Sequence, residues 1–216
     1  MKLGVITNVF GELRQVWDPT SFDFINDALV LARLPRFAGR TTCEWSVAQH
    51  LLLCGDLLPF VAPDAGAAVR FAVESHDVAE AYGFGDIPTP MKSLLLVRDS
   101  RDGVWNDGYI TLDAWEDRVR YRWLASAAPS YDFAPLFDEL DGIVHTMDRL
   151  ALWVEGEVVT RRPPGAFGGV APQRVRHHAY TAIAQLRKYS PETCATLLSG
   201  RWVRESEALR GQKGAP

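Results

Sequence analysis

His50, His76, Asp77 and Asp148 are metal-binding side chains set in otherwise apolar stretches of the chain. Val47, Leu51, Cys54 and Leu58 recur at helical spacing. His50 stands one turn after Val47 and one turn before Cys54, so it faces inward beside them. Ala68, Ala72, His76 and Ala79 repeat the pattern in a second segment, where Asp77 follows Val73 by four, and Val144, Asp148, Ala151 and Leu152 share a face in a third. A lone inward histidine is more often a satisfied core residue than a ligand. Adjacent His and Asp from a second helix and Asp from a third change that balance. Burying two carboxylates without partners costs on the order of several kcal/mol or forces them neutral, and a shared divalent cation removes the conflict. Two nitrogen and two oxygen donors suit Mn, Fe, Co, Ni or Zn. They also leave open positions on a six-coordinate ion for water and substrate, which marks a catalytic rather than a structural centre.

The elements that must position these residues are mainly helical. FINDALVLARL predicts a first helix ended by Pro35, with Ser21 or Asp23 as N-cap. Ser46 opens a second helix through Leu58, and the Pro59 to Gly66 stretch separates it from a third over Ala67 to Ala81 that carries His76-Asp77. GFGDIPTP reads as a rigid turn and Met91 to Val97 as a short helix. Residues 98 to 112 fit either a surface loop or a hairpin. Asp113 is a good N-cap for AWEDRVRYRWLASA, and Pro135 precedes the long helix that supplies Asp148. A helical hairpin, Gln173 to Arg187 and Pro191 to Leu209, follows the Pro and Gly rich RRPPGAFGGVAP. Residues 1 to 22 carry short β-branched and aromatic patches that suggest a small hairpin or an extended arm.

The 216 residues are most simply one domain, with a charged fraction of 23% and a hydrophobic fraction of 47%, typical of a soluble globular protein. A formal net charge of -4 gives no broad electrostatic footprint for duplex nucleic acid. Cys43, Cys54 and Cys194 have no metal-like spacing among themselves, and Cys54 reads as a small core hydrophobe in a reducing compartment. No uninterrupted apolar span approaches the roughly 18 residues of a membrane helix, and the opening residues do not form a signal peptide. A cytoplasmic protein with no membrane partner is expected. His177-His178 lies in a basic stretch with no acidic ligand beside it and reads as surface. The Walker, nucleophile-elbow, His-Glu-x-x-His and paired CxxC motifs are all absent from the sequence.

The ordered set His50, His76-Asp77 and Asp148 resembles the HD superfamily of metal-dependent phosphohydrolases. The flanking RFAGRTTCEWSVAQH, HDVAEAYGFGDIPTPMK and MDRLALWVE are similar to HD phosphohydrolases of bacteria and phages related to bacterial 5'-deoxynucleotidases. The resemblance covers residues 23 to 155 and implies an all-α, HD-domain helical bundle there, after an arm over 1 to 22. A C-terminal helical extension over 156 to 209 packed on the same domain and a disordered tail over 210 to 216 complete the expected organisation. The resemblance makes His50, His76, Asp77 and Asp148 the ligands of one divalent ion (Co, Mn, Zn, Fe, Ni or Mg) and assigns catalysis to Glu80 and Asp86. It places the substrate against Arg36 as phosphate-binding arginine, Phe37 near the sugar and Lys92 as added phosphate charge. Two departures stand out. One more residue separates Glu80 from Asp86 than in relatives, and Leu51 replaces a common serine after the first metal histidine. The implied activity is hydrolysis of (deoxy)nucleoside 5'-monophosphates by a metal-activated water, in a homo-oligomer of two or more copies. A deoxynucleoside triphosphohydrolase and a nucleotide-sensing module without turnover are the alternatives.

Overall fold

A computed structural model of the chain describes residues 22 to 211, apart from 84, 88, 102 and 103, together with two short strands nearer the N-terminus. Those strands, β1 (Val5–Thr7) and β2 (Leu13–Gln15), pair antiparallel, so the expected N-terminal hairpin forms at these positions. Of the tail expected over 210 to 216, Arg210 and Gly211 instead belong to the last helix, and residues 212 to 216 lie outside the described residues.

The remainder is helical, with one further hairpin. Helix α1 (Phe24–Arg33) starts at Asp23, whose carboxylate accepts from the Ile25 and Asn26 amides, and it stops before Pro35. Helix α2 (Val47–Leu57) begins with a full capping box: the Gln49 amide donates to Ser46 Oγ while Gln49 Oε1 accepts from the Ser46 amide. Gln49 Nε2 also donates to the Leu186 carbonyl at 2.9 Å, which ties the start of α2 to a helix far along the chain.

The third helix is shorter than the apolar spacing predicts. Helix α3 (Ala67–Glu74) ends before His76: Ser75 Oγ donates back to the Phe71 carbonyl, and the Ser75 amide takes the Ala72 carbonyl, three residues back, at 3.4 Å. His76 and Asp77 therefore occupy a turn between α3 and a 3₁₀ segment, Val78–Tyr82, that carries Glu80. Met91 to Val97 is likewise not one helix. Helix α4 (Thr89–Lys92) is a single turn, and strand β3 (Leu96–Arg101) pairs with β4 (Val104–Thr111), placing Leu96 opposite Thr111 and Val97 opposite Ile110. Pairing across the hairpin overrides the local helical preference of the leucines. Of the two alternatives for residues 98 to 112, the hairpin is the one found at 98 to 101 and 104 to 111, and Leu112 begins the next helix.

Helix α5 (Leu112–Ala127) is capped by Thr111, whose Oγ1 accepts from the Ala114 amide, and not by Asp113, which lies inside the first turn. Helix α6 (Phe137–Val158) carries Asp148, and α7 (Gln173–Leu186) and α8 (Pro191–Gly211) close the chain. The C-terminal pair packs on the same body: α8 against α1, α2 and α3, and α7 against α2 and α6. Phe24, Phe71, Trp123 and Trp202 meet with ring centroids 4.9 to 6.2 Å apart, which joins α1, α3, α5 and α8. No described helix is long and apolar enough to cross a membrane.

Asp27 sits within this core. Its Oδ2 accepts from Tyr82 Oη at 2.6 Å and from Trp123 Nε1 at 2.8 Å, linking α1 to the 3₁₀ segment and to α5. Burial outweighs these hydrogen bonds and raises its pKa to about 6. The folded protein thus holds a proton that the unfolded chain, at a carboxylate pKa of about 4, has released. Asp27 contributes its full stability below pH ~4 and loses it as the pH rises through about 6. Asp27→Asn should flatten that dependence, read as denaturation midpoints between pH 4 and pH 7 that no longer fall as steeply as in the parent.

Candidate metal centre

Three elements bring the metal-binding side chains together. His50 on α2 is completely buried, and its Nε2 lies 3.3 Å from His76 Nε2, 3.6 Å from Asp77 Oδ2 and 3.2 Å from Asp148 Oδ1. His76 Nε2 is 3.5 Å from Asp77 Oδ2 and 3.8 Å from Asp148 Oδ1. Donors bound roughly 2.1 Å from one ion lie about 3 to 4 Å from each other, so this set has the spacing of a coordination sphere. The break after Ser75 leaves His76 and Asp77 within reach of the same point despite their adjacency in sequence.

The far sides of both imidazoles are already engaged. His50 Nδ1 meets Glu155 Oε1 at 2.9 Å and His76 Nδ1 meets the Val73 carbonyl at 2.8 Å. Each acceptor fixes a proton on Nδ1 and turns Nε2 toward the centre, which is how metal-bound histidines are oriented. Glu155 is itself fully buried and takes a second bond, 2.8 Å long, from Trp45 Nε1. Sequence reasoning passed over Glu155, although it follows Asp148 by two helical turns and so shares its face of α6. Glu155→Gln should weaken metal binding about 10- to 100-fold, measured by competition with a chelator, because the neutral amide no longer fixes the His50 ring through a charged acceptor.

Cys54 was also overlooked as a donor. His50, Cys54 and His76 offer ligand atoms within 4.8 Å of one another, a group able to hold a metal ion. The signal was its position four residues after His50 on the same helix.

The electrostatics of the cluster favour positive charge. Burial raises the Asp77 carboxyl, yet His76, Arg36 and His50 outweigh it and hold its pKa at about 2. Burial opposes ionisation of Asp148 too, and hydrogen bonds to His50 and His76 reverse it far below the usual range. Burial and Arg36 work against a proton on His50, but Cys54, Glu155 and Asp148 hold it well above the ordinary imidazole value. A divalent ion satisfies this field while releasing that proton, so the donors fit a resident cation in type, spacing and charge.

Arg36 borders the cage. Its Nη1 lies 3.0 Å from Asp77 Oδ2, and its Nη2 lies 3.2 Å from Asp148 Oδ1. The 3₁₀ turn that carries it, Arg36–Gly39, has three consecutive left-handed residues, with φ of 57° at Phe37, 51° at Ala38 and 74° at Gly39. Such backbone is costly outside glycine and persists only where surrounding bonds enforce it. Asp86 supplies one of them: its Oδ2 accepts from the Phe37 amide, while its Oδ1 stands 3.6 Å from Arg36 Nη1. Asp86 thus contacts the Arg36 turn through both of its carboxylate oxygens. Phe37 packs against Phe167 at a centroid distance of 5.9 Å.

Glu80 is 3% exposed, and its Oε2 finds no hydrogen-bond partner among the described residues. Burial and then Asp77 hold its carboxyl well above the usual carboxylate range. Lys92 lies 3.5 Å from Glu80 Oε1 and 2.8 Å from Glu116 Oε2, so it bridges two acids and is not a solvated lysine. A cleft of about 410 Å³ reaches the cage, lined by His76, Asp77 and Asp148 and flanked by Glu116, Asp117, Arg120 and Asp141. His177 and His178 are exposed, and His178 stacks near Phe60.

No family model matches the chain. It is 45% identical over 74 residues to the uncharacterized protein YfdR of Escherichia coli, covering 33% of this chain and 36% of that protein. It is also 36% identical over 107 residues to an uncharacterized protein of Rhodobacter capsulatus, covering 48% of this chain and 49% of the other. The chain therefore spans between about a third and a half of the length of the curated relatives it matches.

Proposed function

We propose that the protein is a metal-dependent phosphohydrolase of the HD type that cleaves (deoxy)nucleoside 5'-monophosphates to nucleoside and phosphate. The observation that carries this reading is the meeting of His50, His76, Asp77 and Asp148, with inter-donor distances of 3.2 to 3.8 Å, beside a cleft that His76, Asp77 and Asp148 line. When bound there, a divalent cation supplies Lewis-acid polarisation of a phosphoryl oxygen and makes water acidic enough to react near neutral pH.

The chain's own residues account for the remaining work. Arg36 borders both ligand carboxylates, and its planar fork of donors suits the charge that develops on phosphate oxygens. Attack of water on phosphorus breaks the bond to the 5'-oxygen, and the departing oxygen must receive a proton. Glu80 is suited to donate it, because burial and Asp77 push its carboxyl well above the usual carboxylate range and its Oε2 has no hydrogen-bond partner among the described residues. A module that only senses nucleotides has no use for such a group. Asp86 and the strained Phe37 to Gly39 backbone hold Arg36 in place.

The charge of the cleft favours a monophosphate over a triphosphate. Glu116, Asp117 and Asp141 line it together with the ligand carboxylates, against Arg120 and two histidines. A polyphosphate tail would lie against this acidic wall. The test is a panel of nucleoside mono-, di- and triphosphates under several divalent cations, with free phosphate and tripolyphosphate measured separately. Phosphate from monophosphates is expected. Tripolyphosphate as the main product would favour the triphosphohydrolase alternative, and nucleotide binding without turnover would favour the sensing module.

A further inference from the structure

The cluster contains one strong metal donor that the four-residue cage leaves unused. Cys54 is completely buried, and its Sγ lies 3.6 Å from His50 Nε2, the atom that faces the centre. Residues four apart on a helix stack one above the other, so α2 presents His50 and Cys54 to the same point. Among the described residues its other hydrogen-bond partner is the Met147 carbonyl at 3.9 Å, too distant to be a strong bond. A cysteine serving only as core filler would have its sulfur among carbon atoms. Here it lies among imidazole nitrogens, with His76 also inside the 4.8 Å group.

We propose that Cys54 is a fifth protein ligand of the same ion, making the centre selective for a thiophilic divalent cation such as zinc, cobalt(II) or iron(II) over magnesium and manganese. This rests on the reading of His50, His76, Asp77 and Asp148 as a metal cage. On ligation the S–H bond breaks, its electron pair stays on sulfur and is shared with the metal as a dative bond, and the proton goes to solvent, with no change of oxidation state. Thiolate is the donor that separates soft and borderline ions from hard ones, whereas carboxylate and imidazole alone discriminate weakly. Five protein donors leave one position of a six-coordinate ion for water or a phosphate oxygen, enough for hydrolysis and more restrictive than the four-donor cage.

The test uses the full chain, stripped by a chelator and titrated with cobalt(II) alone while absorption is recorded. A sulfur-to-cobalt charge-transfer band in the near ultraviolet that saturates at one equivalent is expected. Cys54→Ser should lose that band, keep the visible cobalt bands and bind zinc at least ~10-fold more weakly. X-ray absorption of the zinc-loaded parent provides a check without substitution, with one sulfur scatterer expected at roughly 2.3 Å. Visible cobalt bands with no charge-transfer band, or a zinc shell without sulfur, would overturn the role of Cys54 and leave the cage intact. A charge-transfer band that persists in Cys54→Ser would assign the sulfur to another cysteine and overturn it equally. Failure to bind cobalt or zinc at all would overturn both this inference and the cage beneath it.

Discussion

Replacing Asp77 with alanine is expected to remove bound metal and hydrolysis together. Its Oδ2 is the one oxygen in the cluster that stands within 3.6 Å of Arg36, His50 and His76 at once. Its loss removes one donor and also one negative charge from a site whose remaining groups, Arg36 and the two histidines, then repel a cation more strongly. Partners that only orient a metal ligand are worth about 10- to 100-fold in affinity, so an inner donor should cost about 100-fold or more. Phosphate release should fall to the background of the metal-free protein. The fold should survive, since Asp77 lies in a turn at the end of the cleft while the aromatic core is elsewhere. An unchanged thermal midpoint by circular dichroism would confirm that. Normal turnover in this variant would show that the site is misplaced.

Replacing Glu80 with glutamine should separate the two effects. Glu80 lies on the 3₁₀ segment after the His76-Asp77 turn, in the field of Asp77, and its Oε1 faces Lys92. Metal content should stay at the parental level. The rate should drop about 10²- to 10⁴-fold, the range for loss of a positioned proton donor or acceptor. The amide preserves size and the capacity to accept from Lys92, so the bridge from Lys92 to Glu116 need not collapse. Metal analysis and single-turnover phosphate release on the same preparation provide the readout. A fall in kcat with KM nearly unchanged marks a step after binding. Parental kcat would remove Glu80 from the chemistry, and loss of metal would make it part of the cage.

The sequence already carried most of the helical frame, for identifiable reasons. Asp23, Ser46 with Gln49, and Pro35 are capping and stopping residues whose effect is local, and the helices they bound appear where expected. The long apolar stripes of α6, α7 and α8 are set by periodicity over many turns and were equally legible. What failed depended on single side chains or on distant pairing. Ser75, at the end of α3, donates its hydroxyl back to the Phe71 carbonyl, which no hydrophobic pattern reveals. Leu96 and Val97 become strand only because Ile110 and Thr111 are available across the hairpin.

The same division holds at the site. His50, His76, Asp77 and Asp148 were found by type and spacing, and they meet even though the helix assumed for His76 and Asp77 stops short. Cys54 and Glu155 stand at helical spacing from His50 and Asp148, but the sequence pattern makes Cys54 a core hydrophobe and gives Glu155 no signal of its own. Asp86 required coordinates. Its bond to the Phe37 amide depends on a left-handed backbone that ordinary residue preferences argue against. The resemblance turns Arg36 toward phosphate, and the structure pairs it with the Asp77 and Asp148 carboxylates.

The most direct test is elemental analysis of the full chain, as purified and again after chelation and reloading with one divalent cation at a time. The account predicts one ion per chain, lost on chelation, restored on reloading, and reduced in parallel by alanine at His50, His76, Asp77 or Asp148. A chain that takes up no divalent cation, or one whose metal content is indifferent to those four substitutions, would contradict it.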